Sequence, residues 1–266
     1  MPAKNSPTFF DTHIHLEEFD PRCGELAAAR AAGIGYFLVP GVAPQGWDQI
    51  LALARAESAV WAAPGIHPLA ADQWNDETAR RLRELLAEPK AAAVGEIGLD
   101  RMRSAPPHAI QEKAFRAQLR LAAANDLPVL IHCRKAWRRT LDILREEGAH
   151  QCGGILHSFS GSLEIALEGI SLGFVIAFGG PLTYPNARRI PEVLKGIPDQ
   201  AIVLETDAPD LSPEPYRGHR NRPLHLLLIA RKVAAIRGWT LERTAAVTTA
   251  NALRILPRMA SREDQP

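Results

Sequence analysis

Eight short apolar runs recur along the chain: residues 8–13 (TFFDTH), 36–40 (YFLVP), 60–66 (VWAAPGI), 91–97 (AAAVGEI), 128–133 (PVLIHC), 153–158 (GGILHS), 173–179 (GFVIAFG) and 201–207 (AIVLETD). They are continuous rather than alternating, the pattern of parallel strands covered on both faces. Between them the apolar positions change to a helical period, in GELAAARAAG, QGWDQILALARAES, NDETARRLRELLAE, HAIQEKAFRAQLRLAAAND, RKAWRRTLDILREEG, SLEIALEGISLG and a looser NARRIPEVLKGI. Many of these segments end in Gly, Asn or Asp, or are followed by Pro, which stop helices. Eight such strand–helix units in roughly 250 residues predict a (β/α)8 TIM barrel rather than an open sheet. Two helices follow the last strand, from about Pro223 to Arg237 and from Thr240 to Leu256, so the barrel carries an additional C-terminal helix. The expected division is a flexible N-terminus (1–7), one barrel domain (8–257) and a frayed tail (258–266), with no linker or repeat.

In a barrel the C-terminal strand ends form the active face. The residues there are His13 and His15 after strand one, Glu96 on four, His132 on five, His157 on six and Asp207 on eight. Side chains two apart on a strand project on the same side, so His13 and His15 can reach one point. Imidazole with carboxylate suits zinc, manganese, nickel or cobalt, and six ligands exceed what one tetrahedral catalytic ion takes while keeping a place for water. Two cations sharing a bridging carboxylate fit better. Burying that many polar groups without a partner is unfavourable, which favours the metal reading over a structural one.

With 266 residues, 46% hydrophobic and 23% charged, the chain has the composition and length of a globular protein with a large core. A net charge of +1 argues against a protein that coats nucleic acid, and any such contact should be local. Cys23, Cys133 and Cys152 are odd in number and lack a CxxC spacing, against a disulfide framework or cysteine zinc site and in favour of a reducing cytoplasm. The opening MPAKNSP is too short and polar for a signal peptide, and no apolar run approaches the roughly 18 residues of a membrane span.

The strings DTHIHL, GIHP, GEIGLD, IHCR, HSFSGS, ETDAPDL and NRP, in this order from about Phe9 to Leu256, resemble the TatD family of metal-dependent deoxyribonucleases, within the wider amidohydrolase-like barrel group. The resemblance implies that His13, His15 and Asp207 hold one cation, His132 and His157 a second, and that Glu96 bridges them. It makes Glu96 and Asp207 the catalytic carboxylates, Asp207 accepting the proton of the attacking water. The implied cofactor is two divalent cations per subunit (Zn, Mn, Mg, Ni or Co). The implied activity is phosphodiester hydrolysis by a metal-activated water, exonucleolytic on single-stranded or short DNA ends. Departures from the family pattern, Leu69 after GIHP, Lys135 after the fifth-strand His-x-Arg, and Arg101 and Met102 after GEIGLD, bear on substrate more than on chemistry.

The substrate side draws on the loops after strands seven and eight, where barrels often bind phosphate. Gly180 beside Gly179, Arg217 and Arg222 beside Arg220, Arg134 after strand five and His67 after strand three are the candidate substrate contacts. Trp137 and Phe159 could stack on a base or simply pack. Lys135, Arg138 and Arg139 read as a solvated face, and His108, His150 and His225 as surface or loop residues. Two rival readings stand: a small-molecule amidohydrolase, lactonase or phosphotriesterase-like enzyme, and a barrel that binds without catalysis. Related small-molecule hydrolases often bridge their metals with a modified lysine at the end of strand four, where this chain has Glu96. A monomer or weak homo-oligomer without membrane attachment is expected.

Overall fold

Continuous runs that are largely apolar need cover on both faces, and the fold provides it. The computed structural model describes residues 8–20 and 24–260. Its strands are β1 (Phe9–Asp11), β2 (Ile34–Pro40), β3 (Val60–Ala63), β4 (Val94–Asp100), β5 (Val129–Arg134), β6 (Gly154–Leu156), β7 (Phe174–Phe178) and β8 (Ile202–Leu204). Its helices are α1 (Glu25–Ala31), α2 (Trp47–Ala56), α3 (Asp76–Leu86), α4 (His108–Ala124), α5 (Trp137–Glu146), α6 (Leu163–Ser171), α7 (Arg189–Gly196), α8 (Leu226–Arg237), α9 (Leu241–Ile255) and α10 (Pro257–Ala260). The strands pair in parallel as β1-β2-β3 and β4-β5-β6-β7-β8. Two seams close the ring. Ala62 pairs with Ala91, and the Ala92 N–H donates to the Ala62 carbonyl at 2.8 Å. At the other seam the Thr12 N–H donates to Leu204 at 3.0 Å, and the fully buried Asp11 accepts from the Thr206 amide at 2.9 Å and its hydroxyl at 2.6 Å. The architecture is a (β/α)8 barrel. Among the described residues no helix is long and apolar enough to cross a membrane.

Strands six and eight are shorter than their apolar runs. The chain leaves the ladder before His157 and before Asp207, with Ser158 at φ 41° and Asp207 itself at φ 58°. A left-handed backbone at a non-glycine residue turns the chain abruptly, and here it does so at the active face.

Alternate strand residues fill the barrel: Phe10, Leu38, Trp61, Leu130, Ile155, Val175 and Val203 form one cluster. Ala252, Ile255, Leu256 and Met259 of the C-terminal segment belong to that same cluster. They reach it from the N-terminal end of the strands, where Thr249 Oγ1 donates to the Thr8 carbonyl and Asn251 Nδ2 to that of Ile202. The additional C-terminal helices therefore stopper the bottom of the barrel. Residues 258–260 are not a frayed tail: Met259 is buried, and Arg258 Nη1 donates to the carbonyls of Leu86 at 2.7 Å and Ala91 at 2.9 Å. The expectations for residues 1–7, Cys23 and 261–266 lie outside the described residues.

Gly98 in β4 has φ 145°, and a Cβ there would sit 1.9 Å from the His132 carbonyl oxygen. Gly98→Ala must push β5 away at the strand end that carries His132. A loss of about 2–4 kcal/mol is expected from strain plus overpacking, read by urea unfolding. An unchanged midpoint would refute this close approach.

Candidate metal centre

The active-face strand ends bring all six predicted side chains together. His13, fully buried, has Nε2 3.4 Å from Glu96 Oε2 and 3.6 Å from Asp207 Oδ1. His15 Nε2 lies 3.8 Å from the same Asp207 oxygen. His157 stacks on His13 with ring centroids 3.4 Å apart, and its Nε2 is 3.7 Å from Glu96 Oε1 and 3.7 Å from Asp207 Oδ2. His132 Nδ1 approaches Glu96 Oε1 at 2.8 Å. Glu96 thus spans the group, one oxygen toward His13 and the other toward His132 and His157. Sets of three ligand atoms within 4.8 Å of one another overlap here: His13, His15 and Asp207; His13, Glu96 and His157; His67, Glu96 and His132.

The donor set fits a cation. Both ring nitrogens of His13 are buried without a hydrogen-bond partner. A buried nitrogen left unpaired between two carboxylates is unfavourable unless a positive charge sits among them. Imidazole nitrogen with carboxylate oxygen is the chemistry of first-row divalent metals.

Behind these side chains stand carboxylates that the sequence reading missed. Glu17 Oε1 is 3.2 Å from His15 Nδ1, Asp100 Oδ2 2.9 Å from His132 Nε2, and Glu205 Oε2 2.8 Å from His157 Nδ1. Glu205 also accepts from the Ser158 N–H at 2.7 Å. Each fixes the outer N–H of its imidazole and leaves the inner nitrogen to face the centre. The signal was present as spacing: Asp100 lies four residues after Glu96 along one face of β4, and Glu205 directly follows β8, two residues before Asp207.

The sequence profile described as TatD related DNase matches residues 10–257, a span holding every one of these side chains. The chain belongs to the TatD-related DNase family. It is 38% identical over 249 residues to the metal-dependent hydrolase YabD of Bacillus subtilis, covering 92% of this chain and 98% of that protein. It is 39% identical over 263 residues to the 3'-5' ssDNA/RNA exonuclease TatD of Cronobacter turicensis, covering 95% and 99%. The crystal structure of YjjV, a TatD homologue from Escherichia coli, superposes with a TM-score of 0.88 at 32% identity, covering 94% of this chain and 98% of that one. This TatD-family chain is a metal-dependent hydrolase.

Charges in the TatD-family centre are tightly interdependent. Burial depresses His157, but Glu205, Glu96 and Asp207 around it outweigh that and raise it to about 10. Burial is likewise outweighed at His132, which Glu96 and Asp100 raise to about 9, and at His15, which Glu17 and Asp207 raise to about 9. Burial, with His157 beside it, holds His13 well below the usual imidazole range. Burial would raise Glu96, yet the surrounding imidazoles hold it well below the ordinary carboxylate range. Burial pushes Asp207 up to about 7 against His157 and His15.

A cavity of about 600 Å³ opens over the centre. His67 and Arg134 line it, together with the exposed apolar side chains of Val42, Leu69 and Leu211. Burial holds His67 down at about 4. Arg134 rests on the Met102 thioether. The other substrate candidates lie elsewhere. Arg217 stacks over the Tyr184 ring at 4.2 Å, Arg222 pairs with Glu25 at 2.9 Å, and neither lines the cavity. Gly180 is buried at the start of a short 3-10 segment, where a Cβ would meet the Leu211 carbonyl at 1.8 Å, and its neighbour Pro181 faces the cavity instead. Trp137 and Phe159 pack on each other at 4.6 Å. Arg138 and Arg139 pair with Glu168 and Glu112 on the helical surface. His225 is a buried residue rather than a surface one, stacked on Tyr216 and hydrogen-bonded to Asn221.

Proposed function

We propose that this chain is a divalent-metal-dependent phosphodiesterase that trims single-stranded DNA from an end, with water as the nucleophile. The observation that carries the reading is the convergence of His13, His15, Glu96, His132, His157 and Asp207 around an unpaired imidazole beneath an open cavity. His13, His15 and Asp207 would hold one cation and His132 and His157 the other, with Glu96 between. When bound, such cations acidify a water and neutralise the charge developing on a phosphoryl oxygen. Asp207, facing three imidazoles, takes the proton of the attacking water. Arg134 offers the planar fork that grips a phosphate. The name of the Cronobacter relative supports single-stranded nucleic acid as substrate. The net charge of +1 suits a strand end held locally rather than a covered duplex. Free thiols at Cys133 and Cys152 suit a reducing cytoplasm, and a monomer or weak homo-oligomer completes the reading.

A second reading is favoured by the rim. Val42, Leu69 and Leu211 give the mouth an aliphatic edge, which also suits a small ester, lactone, amide or phosphotriester. The deciding experiment assays single-stranded DNA, duplex DNA, RNA and simple esters with added manganese or zinc. Release of mononucleotides from single-stranded DNA, abolished by chelator and restored by metal, is expected. Turnover of esters or lactones with no release from any nucleic acid would replace the nuclease reading with the second.

A further inference from the structure

His67 differs from the other imidazoles lining the cavity in what stands behind it. His15, His132 and His157 turn their outer nitrogens to the carboxylates of Glu17, Asp100 and Glu205. An ionised carboxylate only accepts hydrogen bonds, so the outer nitrogen carries the hydrogen and the inner one keeps its lone pair for a cation. His67 instead precedes the short 3-10 segment Pro68–Gln73, and its Nδ1 lies 3.0 Å from the backbone nitrogen of Leu69. A backbone N–H only donates, so Nδ1 is the acceptor. The hydrogen of the neutral ring then sits on Nε2, which is 4.0 Å from Glu96 Oε1, beyond hydrogen-bond reach. One backbone amide has reversed the polarity of this ring relative to its neighbours.

We infer that His67 is a fixed hydrogen-bond donor to a substrate oxygen and is not a metal ligand. The inference rests on the phosphodiesterase reading, in which that oxygen is a non-bridging phosphoryl oxygen. Ligation through Nε2 would require the ring to surrender its remaining hydrogen, or the Leu69 amide to lose its acceptor. The grouping of His67 with Glu96 and His132 is therefore a place where a donor meets substrate beside the metal ligands. It is not a third cation site, although its ligand atoms lie within 4.8 Å of one another. Arg134, on the same cavity, supplies the second donor to the phosphoryl group.

The test compares the parent protein with His67→Ala and His67→Gln after manganese loading and desalting. Metal equivalents are counted by elemental analysis, and inorganic phosphate binding is measured by calorimetry. All three proteins are expected to hold the same number of metal equivalents. Phosphate affinity should fall about tenfold in His67→Ala and stay within about threefold in His67→Gln, whose amide N–H reaches about as far as Nε2. Loss of a metal equivalent in both variants would make His67 a ligand and overturn the proposal. Unchanged phosphate affinity in His67→Ala would overturn the donor role alone. A parent protein that takes up metal yet binds no phosphate would remove the phosphodiesterase reading together with the proposal.

Discussion

Asp207→Asn is expected to lower metal-dependent hydrolysis, read on single-stranded DNA ends under the proposed function, by more than about a hundredfold at saturating metal. The side chain faces His13, His15 and His157 at 3.6–3.8 Å, and the amide that replaces it is neutral and cannot take a proton. The fold should survive the change, because asparagine is among the residues that best tolerate the left-handed backbone Asp207 adopts at φ 58°. Thermal unfolding measured alongside kcat separates lost chemistry from lost structure. A variant with full metal-dependent activity would take Asp207 out of the reaction.

The second large effect concerns the protein stripped of metal. His157, His132 and His15 have folded-state pKa values raised to about 10, 9 and 9, above the unfolded value of 6.5. A raised imidazole contributes stability that is fully present below the unfolded pKa and is lost as pH rises through the folded one. Asp11, raised by burial to about 8, adds a loss of the same sign over part of this range. In chelator, stability should therefore fall by at least about 3 kcal/mol between pH 6.5 and 10. Divalent cation displaces those protons and supplies the charge they provided, so the loaded protein should lose far less. Calorimetric melts in chelator and in manganese across this range make the comparison. A metal-free midpoint that holds steady or rises would mean that these imidazoles carry no protons for a cation to replace.

The barrel was legible because its strands are continuous apolar runs whose polar residues gather toward their C-terminal ends, and residues such as Ile155 and Val203 have apolar neighbours on both sides. The six central side chains were legible for a related reason: each lies within two residues of the end of such a run, and a barrel sends all those ends to one rim. Arg217 and Arg222 were not, since a loop has no periodicity to say which way a side chain turns; the ring of Tyr184 and the carboxylate of Glu25 decide it. Residues 258–260 misled because a polar tail with one methionine reads as loose until the floor of the barrel, which Met259 helps to fill, is in view. Glu17, Asp100 and Glu205 were written beside the ligands. Glu17 backs His15 two residues away, but which imidazole Asp100 and Glu205 would back depends on neighbouring strands, and sequence separation conceals that.

The stoppered floor has a consequence for traffic. With α9 and α10 filling one end, whatever is cut must back out through the doorway by which it came, and no polymer can be drawn through the molecule like thread through an eyelet. Were the substrate a long strand, it could offer only what dips into the well, and the severed piece would have to clear it before the next could enter.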